Sequence, residues 1–163
     1  MSHTFSNAFG ALSLAVTDRM QAAMAAVAGH GASGPAALVA LDGEAGGGSI
    51  DALRRILGIT HSGTVRLVDR LAGAGLVERR VGADARAVAV HLTPQGRRLA
   101  RRVLAAREAA LEQVLAPLST TQRRQLEPLL AAMIDSLDDA RICRACDAIR
   151  CANCPNYKAR LER

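Results

Sequence analysis

Aromatic residues are nearly absent from this chain: there is no tryptophan, and Phe5, Phe9 and Tyr157 make up the whole 2%. A core must then come from Ala, Leu, Val, Ile and Met, which suits close-packed helices better than a β-sandwich. Long apolar runs are missing too. None approaches the roughly 18 residues needed to span a membrane, and nothing resembles a signal peptide. No membrane partner is expected, and the protein should stay in the cytoplasm. Cysteine is absent from the first 142 residues and then occurs four times between Cys143 and Cys154. In a reducing compartment such clustering points to a metal or to thiol redox chemistry before it points to a disulfide framework. Catalytic arrangements are lacking as well. No Ser/His/Asp order, phosphate loop or carboxylate pair stands in a supporting context, and His3, His30, His61 and His91 are scattered. The chain does not read as an enzyme.

What is present is helix punctuation and arginine. Residues 7–28 carry Phe9, Leu12, Val16, Met20 and Met24 at helical spacing. Ser33 and Pro35 open a short helix to about Asp42, and GEAGGG (43–48) reads as a flexible loop. Ser49 caps a third helix closed by Gly58; Thr60 caps a fourth, HSGTVRLVDRLAGAG, stopped by Gly75. The expected buried stripe of that fourth helix is Val65, Val68 and Leu71–Ala72. His61, Ser62, Thr64, Arg66 and Arg70 then lie off it. A short helix, a tight turn and a helix with a polar first turn is helix-turn-helix grammar. LVERR (76–80) and AVAVHL (87–92) read as paired strands around the turn VGADAR, a two-stranded wing. Thr93–Pro94 opens a long helix to about Ala116. Ser119 starts a last one to about Arg141, with a kink expected at Glu127–Pro128.

Charge supports a polyanionic partner. Between Ser49 and Glu108 stand twelve arginines and five acids, a net +7 against +6 for the whole chain, so the rest carries −1. Arginine's planar fork of donors suits phosphates and base edges. Arg79 and Arg80 alternate sides of a strand, so only one should face DNA. Arg97, Arg98, Arg101 and Arg102 fit either phosphate contact or a solvated helix face.

The run Ile50–Leu99, above all VDRLAGAGLVERR, the Asp84–Arg86 wing turn and HLTPQGRRL, resembles the MarR family of bacterial winged helix-turn-helix regulators. The resemblance implies a mainly α fold, a winged helix-turn-helix (33–92) with a small two-stranded wing, and N- and C-terminal dimerisation helices (7–28 and 94–141). Together these form a domain over residues 1–142, with 143–163 left as a Cys-rich tail. It also implies a homodimer on a double-stranded, palindromic operator, with repression as the output. His61, Ser62, Thr64 and Arg66 then look like the base-reading surface, with Arg70 further along. Arg86 looks like the wing residue that enters the minor groove, oriented by Asp84. Many family members respond to a planar aromatic acid in a cleft beside the dimer helices. Here that cleft has few aromatics to line it, and no N-terminal thiol exists for peroxide sensing, so a sensor is expected in the tail.

The tail reads C-x2-C-x4-C-x2-C followed by Pro155: Cys143, Cys146, Cys151 and Cys154. Four thiolates complete a tetrahedral zinc site or four iron ligands. Structural zinc usually separates its two Cys pairs by roughly a dozen residues or more, against four here. Ferredoxin runs ending in Cys-Pro use C-x2-C-x2-C-x3-C-P, a loose match. The expected centre is an iron–sulfur cluster acting as a redox or gas sensor. The alternative is a structural zinc knuckle on a DNA-binding protein with a small-molecule effector or none.

Overall fold

The computed structural model describes residues 3–29, 31, 33–43, 48–81, 88–137 and 140–146. Six α-helices and a small antiparallel sheet follow in the order α1 (His3–Ala28), α2 (Gly34–Asp42), β1 (Gly48–Ser49), α3 (Ile50–Leu57), α4 (His61–Gly73), β2 (Val77–Val81), β3 (Val88–Leu92), α5 (Pro94–Leu115) and α6 (Thr120–Asp135). A 3₁₀ helix, Ala140–Ala145, ends the described chain. The predicted mainly helical winged architecture is what is found.

Helix ends follow local rules. The side chains of Ser49, Thr60, Thr93 and Ser119 each accept a backbone N–H of the first turn of α3, α4, α5 and α6, satisfying donors that a helix start leaves unpaired. Gly58 closes α3 in the left-handed conformation (φ 65°) that glycine adopts without strain. Ser33 departs from expectation: it precedes α2, but its side chain makes no capping bond.

The sheet has one strand more than the sequence suggests. Gly48, read as loop, pairs with Val90, and Ser49 with Ala89, adding β1 to the β2–β3 hairpin in the order β1-β3-β2. A β-carbon at Gly48 would meet Leu41 Cδ2 at 2.9 Å, so glycine lets this strand lie against α2. The last helix is shorter than predicted. α6 passes through Pro128 and stops at Asp135, with Leu137 N–H on the Ile134 carbonyl.

One core joins α2, α3, α4, the sheet and the start of α5, with Leu38, Leu41, Leu53, Leu67, Val68, Leu71 and Val90 among its members. A second joins Met24 and Ala28 of α1 to Val39 of α2 and Val103 of α5. The TPQG stretch locks α5 onto the wing. Thr93 donates its hydroxyl to the Gly75 carbonyl at 2.7 Å and its N–H to the Leu76 carbonyl at 3.0 Å. Gly96 lies so close that a β-carbon there would stand 1.9 Å from the Leu76 carbonyl oxygen. Backbone cannot step aside as a side-chain tip can. Gly96→Ala is therefore expected to cost about 3 kcal/mol through forced displacement. Thermal denaturation should show it as a midpoint roughly 6–12 °C lower; an unchanged midpoint would mean that the helix start moves freely.

Candidate nucleic-acid interface

The outer face of α4 is built over its buried one. Thr64, Leu67, Val68 and Leu71 are buried, the i, i+3, i+4, i+7 pattern of a helix seated on a core. His61, Ser62, Arg66, Asp69 and Arg70 are exposed, with Val65 half-buried among them. Positions 62, 66, 69 and 70 share a side through three- and four-residue spacing. This face carries two arginines, one acid and short polar groups in its first turn.

Thr64 is a correction to the sequence reading. Its exposure is 0%, and its hydroxyl donates to the Thr60 carbonyl four residues back at 3.0 Å. A hydroxyl satisfied inside its own helix packs as an apolar group, so Thr64 holds α4 to the core and cannot reach a base edge. The expected stripe was out of phase by one residue at its start, with Val65 standing where Thr64 belongs.

The first turn of α4 is fixed by Thr60. Its oxygen accepts the Gly63 N–H at 3.1 Å and lies 3.3 Å from the Ser62 hydroxyl. A β-carbon at Gly63 would come within 3.0 Å of that oxygen, so the small residue keeps the cap tight. Just before it, Asp51 at the start of α3 pairs with Arg54 at 2.9 Å and Arg55 at 3.6 Å. The hydrogen bond from Arg54 holds the Asp51 carboxyl below its ordinary pKa, aided by the charges of Arg54, Arg55 and His61. The group is exposed, so the effect concerns local charge rather than stability.

A cross-element pair escaped sequence reasoning. Arg79 of β2 donates to Asp69 of α4 at 2.7 Å. Its partners are ten residues apart and on different elements, beyond any local rule; the only signal was a lone acid among the arginines of α4. As a surface pair it adds about 0–1 kcal/mol, but it ties the helix to the wing strand. Arg80 pairs with Glu78 instead. Both arginines are exposed, and Arg79 is the one on the α4 side. Arg97, Arg98, Arg101 and Arg102 are all exposed along α5, Arg97 also donating to the Leu92 carbonyl at 3.3 Å. Asp84 and Arg86 lie outside the described residues.

A cavity of about 620 Å³ opens between α1 and α2, lined by Met20, Met24, Ala25, Pro35, Ala36 and Leu57 among others, and among the described residues no aromatic side chain lines it. Of the four cysteines, Cys146 is half-buried after the 3₁₀ helix. The side chain of Cys143 and the whole of Cys151 and Cys154 lie outside the described residues, among which no group of three or more metal-ligating side chains is assembled. Among the described residues no helix is long and apolar enough to cross a membrane.

Comparison with known proteins agrees with this geometry. The sequence pattern of the MarR family matches residues 36–87. The transcriptional repressor MprA of Escherichia coli strain K12 is 34% identical over 83 residues, 50% of this chain and 47% of that protein. The chain thus spans about half the length of the curated relatives it matches. A probable transcriptional regulator from Pseudomonas aeruginosa is 33% identical, with 76% of this chain and 95% of that one covered and a TM-score of 0.57. A MarR-family transcriptional regulator from Rhodococcus sp. RHA1 superposes with a TM-score of 0.62 at 25% identity, covering 81% of this chain and 96% of that one.

Proposed function

The chain belongs to the MarR family of transcriptional regulators, and on that footing we propose that it is a sequence-specific repressor that binds a palindromic operator as a homodimer. The observation that carries this reading is the face of α4: His61, Ser62, Arg66 and Arg70 stand exposed over a fully buried stripe, beside a wing strand tied on by Arg79–Asp69. A helix so mounted enters a major groove with its first turn toward the base edges, while the flanking arginines meet phosphates. Repression is suggested by MprA, itself a repressor. In this reading Arg86 enters the minor groove from the wing and Asp84 orients it.

Operator titrations with single variants test the assignment. Arg66→Ala is expected to cost about 1–3 kcal/mol and relax preference at one base position, and His61→Ala to shift preference among operator variants. Arg86→Ala should weaken all DNAs together and lower the salt slope by about one. Thr64→Val should leave base preference as it is. A change of preference from Thr64→Val, with none from Arg66→Ala, would put the reading face elsewhere on α4.

The tail supplies the sensor in this proposal. Cys143, Cys146, Cys151 and Cys154 together would hold an iron–sulfur cluster, four thiolates being the ligand set that such clusters take. Zinc is the alternative occupant of the same four sulfurs.

A further inference from the structure

The cysteine tail does not begin as a free appendage. The 3₁₀ helix Ala140–Ala145 lies against α2 and α3, the first two helices of the DNA-binding lobe. Ala145 is only 8% exposed and packs in one core with Met24, Ala28, Val39 and Val103. Arg141 reaches the turn between α3 and α4. A β-carbon on Gly58 would stand 2.7 Å from Arg141 Cδ and 3.5 Å from its Cγ, so the arginine's aliphatic stem lies against the left-handed glycine that closes α3. Arg144 donates to the Arg141 carbonyl at 2.7 Å, and Arg144 and Ala145 form part of the wall of the cavity beside α1 and α2.

A 3₁₀ helix has poor hydrogen-bond geometry and rarely persists beyond a few residues on its own. This one keeps its form because Arg141 and Ala145 are docked. The docked stretch is also the interior of the first cysteine pair: Arg144 and Ala145 are the two residues between Cys143 and Cys146. Anything that grips both sulfurs fixes the backbone between them, and so fixes how Ala145 sits in its core and how Arg141 lies over Gly58. We propose that the segment Arg141–Cys146 is a brace for the helix-turn-helix turn, through which the state of the cysteine pair sets the seating of α4 and hence operator affinity. This rests on the reading of the four cysteines as a ligand centre, and it changes the route of the signal. The signal enters each lobe from beneath α3 through Arg141, while Ala145 also seats it in the core that α1 and α5 share with α2.

Two substitutions in the full-length chain test it. Ala145→Glu puts a charge into the apolar core and undocks the segment; Arg141→Gly removes the stem over Gly58 and leaves the core intact. Amide hydrogen exchange at Leu57–Gly63 should speed by at least tenfold in both, and operator affinity should fall by a similar factor, about 1.4 kcal/mol. Sedimentation and metal content should match the wild type. Removing metal with EDTA should alter operator binding by the wild type but not by Ala145→Glu. Turn amides and operator affinity that stay at wild-type values in both variants would overturn the brace. If Ala145→Glu loses its helical circular dichroism, Arg141→Gly decides alone. A protein that holds no metal, yet loosens its turn in both variants, keeps the brace and removes only the metal centre.

Discussion

Replacing Leu130 and Met133 of α6 by glutamate is expected to yield a monomer that binds operator about 10²–10⁴-fold more weakly, the usual gain from joining two binding units. The single chain is unbalanced in its apolar surface. Leu129, Leu130, Met133 and Leu137 are exposed, and α6 has no buried residue along its whole length. The first half of α1 has the same character: Phe5 is 64% exposed and Leu14 68%, with Phe9 and Leu12 open as well. Two helices thus present open apolar faces, the kind of surface that marks a protein–protein contact. In the proposed dimer each such side chain gains about 1.5–3 kcal/mol when covered, and two carboxylates in that seam would outweigh several of them. Sedimentation at micromolar concentration gives the answer. A variant that remains dimeric would place the interface away from α6. Deleting residues 1–28 is the blunter form of this test, because Met24 and Ala28 belong to a core shared with Val39 and Val103, and their loss would damage the lobe itself.

The sequence revealed most where the physics is local. Caps at Ser49, Thr60, Thr93 and Ser119 and the left-handed Gly58 are decided within four residues of where they act, so helix starts and the turn were legible. The phase of α4 was not, because threonine is ambiguous. It counts as polar until a carbonyl one turn back takes its proton, as the Thr60 carbonyl does for Thr64. Val65, apolar by type, ends half-exposed on the outer face beside Arg66. Long-range partners were equally hidden. Nothing near Asp69 announces Arg79, nothing near Gly58 announces Arg141, and Gly48 pairs with Val90, 42 positions further along the chain. The tail read as an addition beyond the last helix, although its start joins the second core, shared by α1, α2 and α5, through Ala145.

Protein purified without oxygen is expected to be brown, to contain iron and acid-labile sulfide, and to lose both colour and effector response when any one of Cys143, Cys146, Cys151 or Cys154 becomes serine. The expectation comes from thiol density. Four cysteines occupy twelve residues of a chain that has no other, and each Cys-x2-Cys pair can present two sulfurs to one ion or cluster. The spacer between the pairs, Asp147–Arg150, is only four residues long, short for two zinc knuckles that must face each other across a single ion. Arg144 and Arg150, inside and just before the cysteine pairs in sequence, would offset the negative charge of such a cluster. A loss of any one ligand leaves a cluster open to solvent and to further oxidation, so four single variants should behave alike rather than in a graded series. Exposure to oxygen or nitric oxide should change operator affinity at least tenfold, about 1.4 kcal/mol, with the size of the change following the loss of visible absorption. A colourless protein with one zinc per chain, and operator binding indifferent to oxidants, would remove the sensor and leave a structural knuckle holding the tail in place.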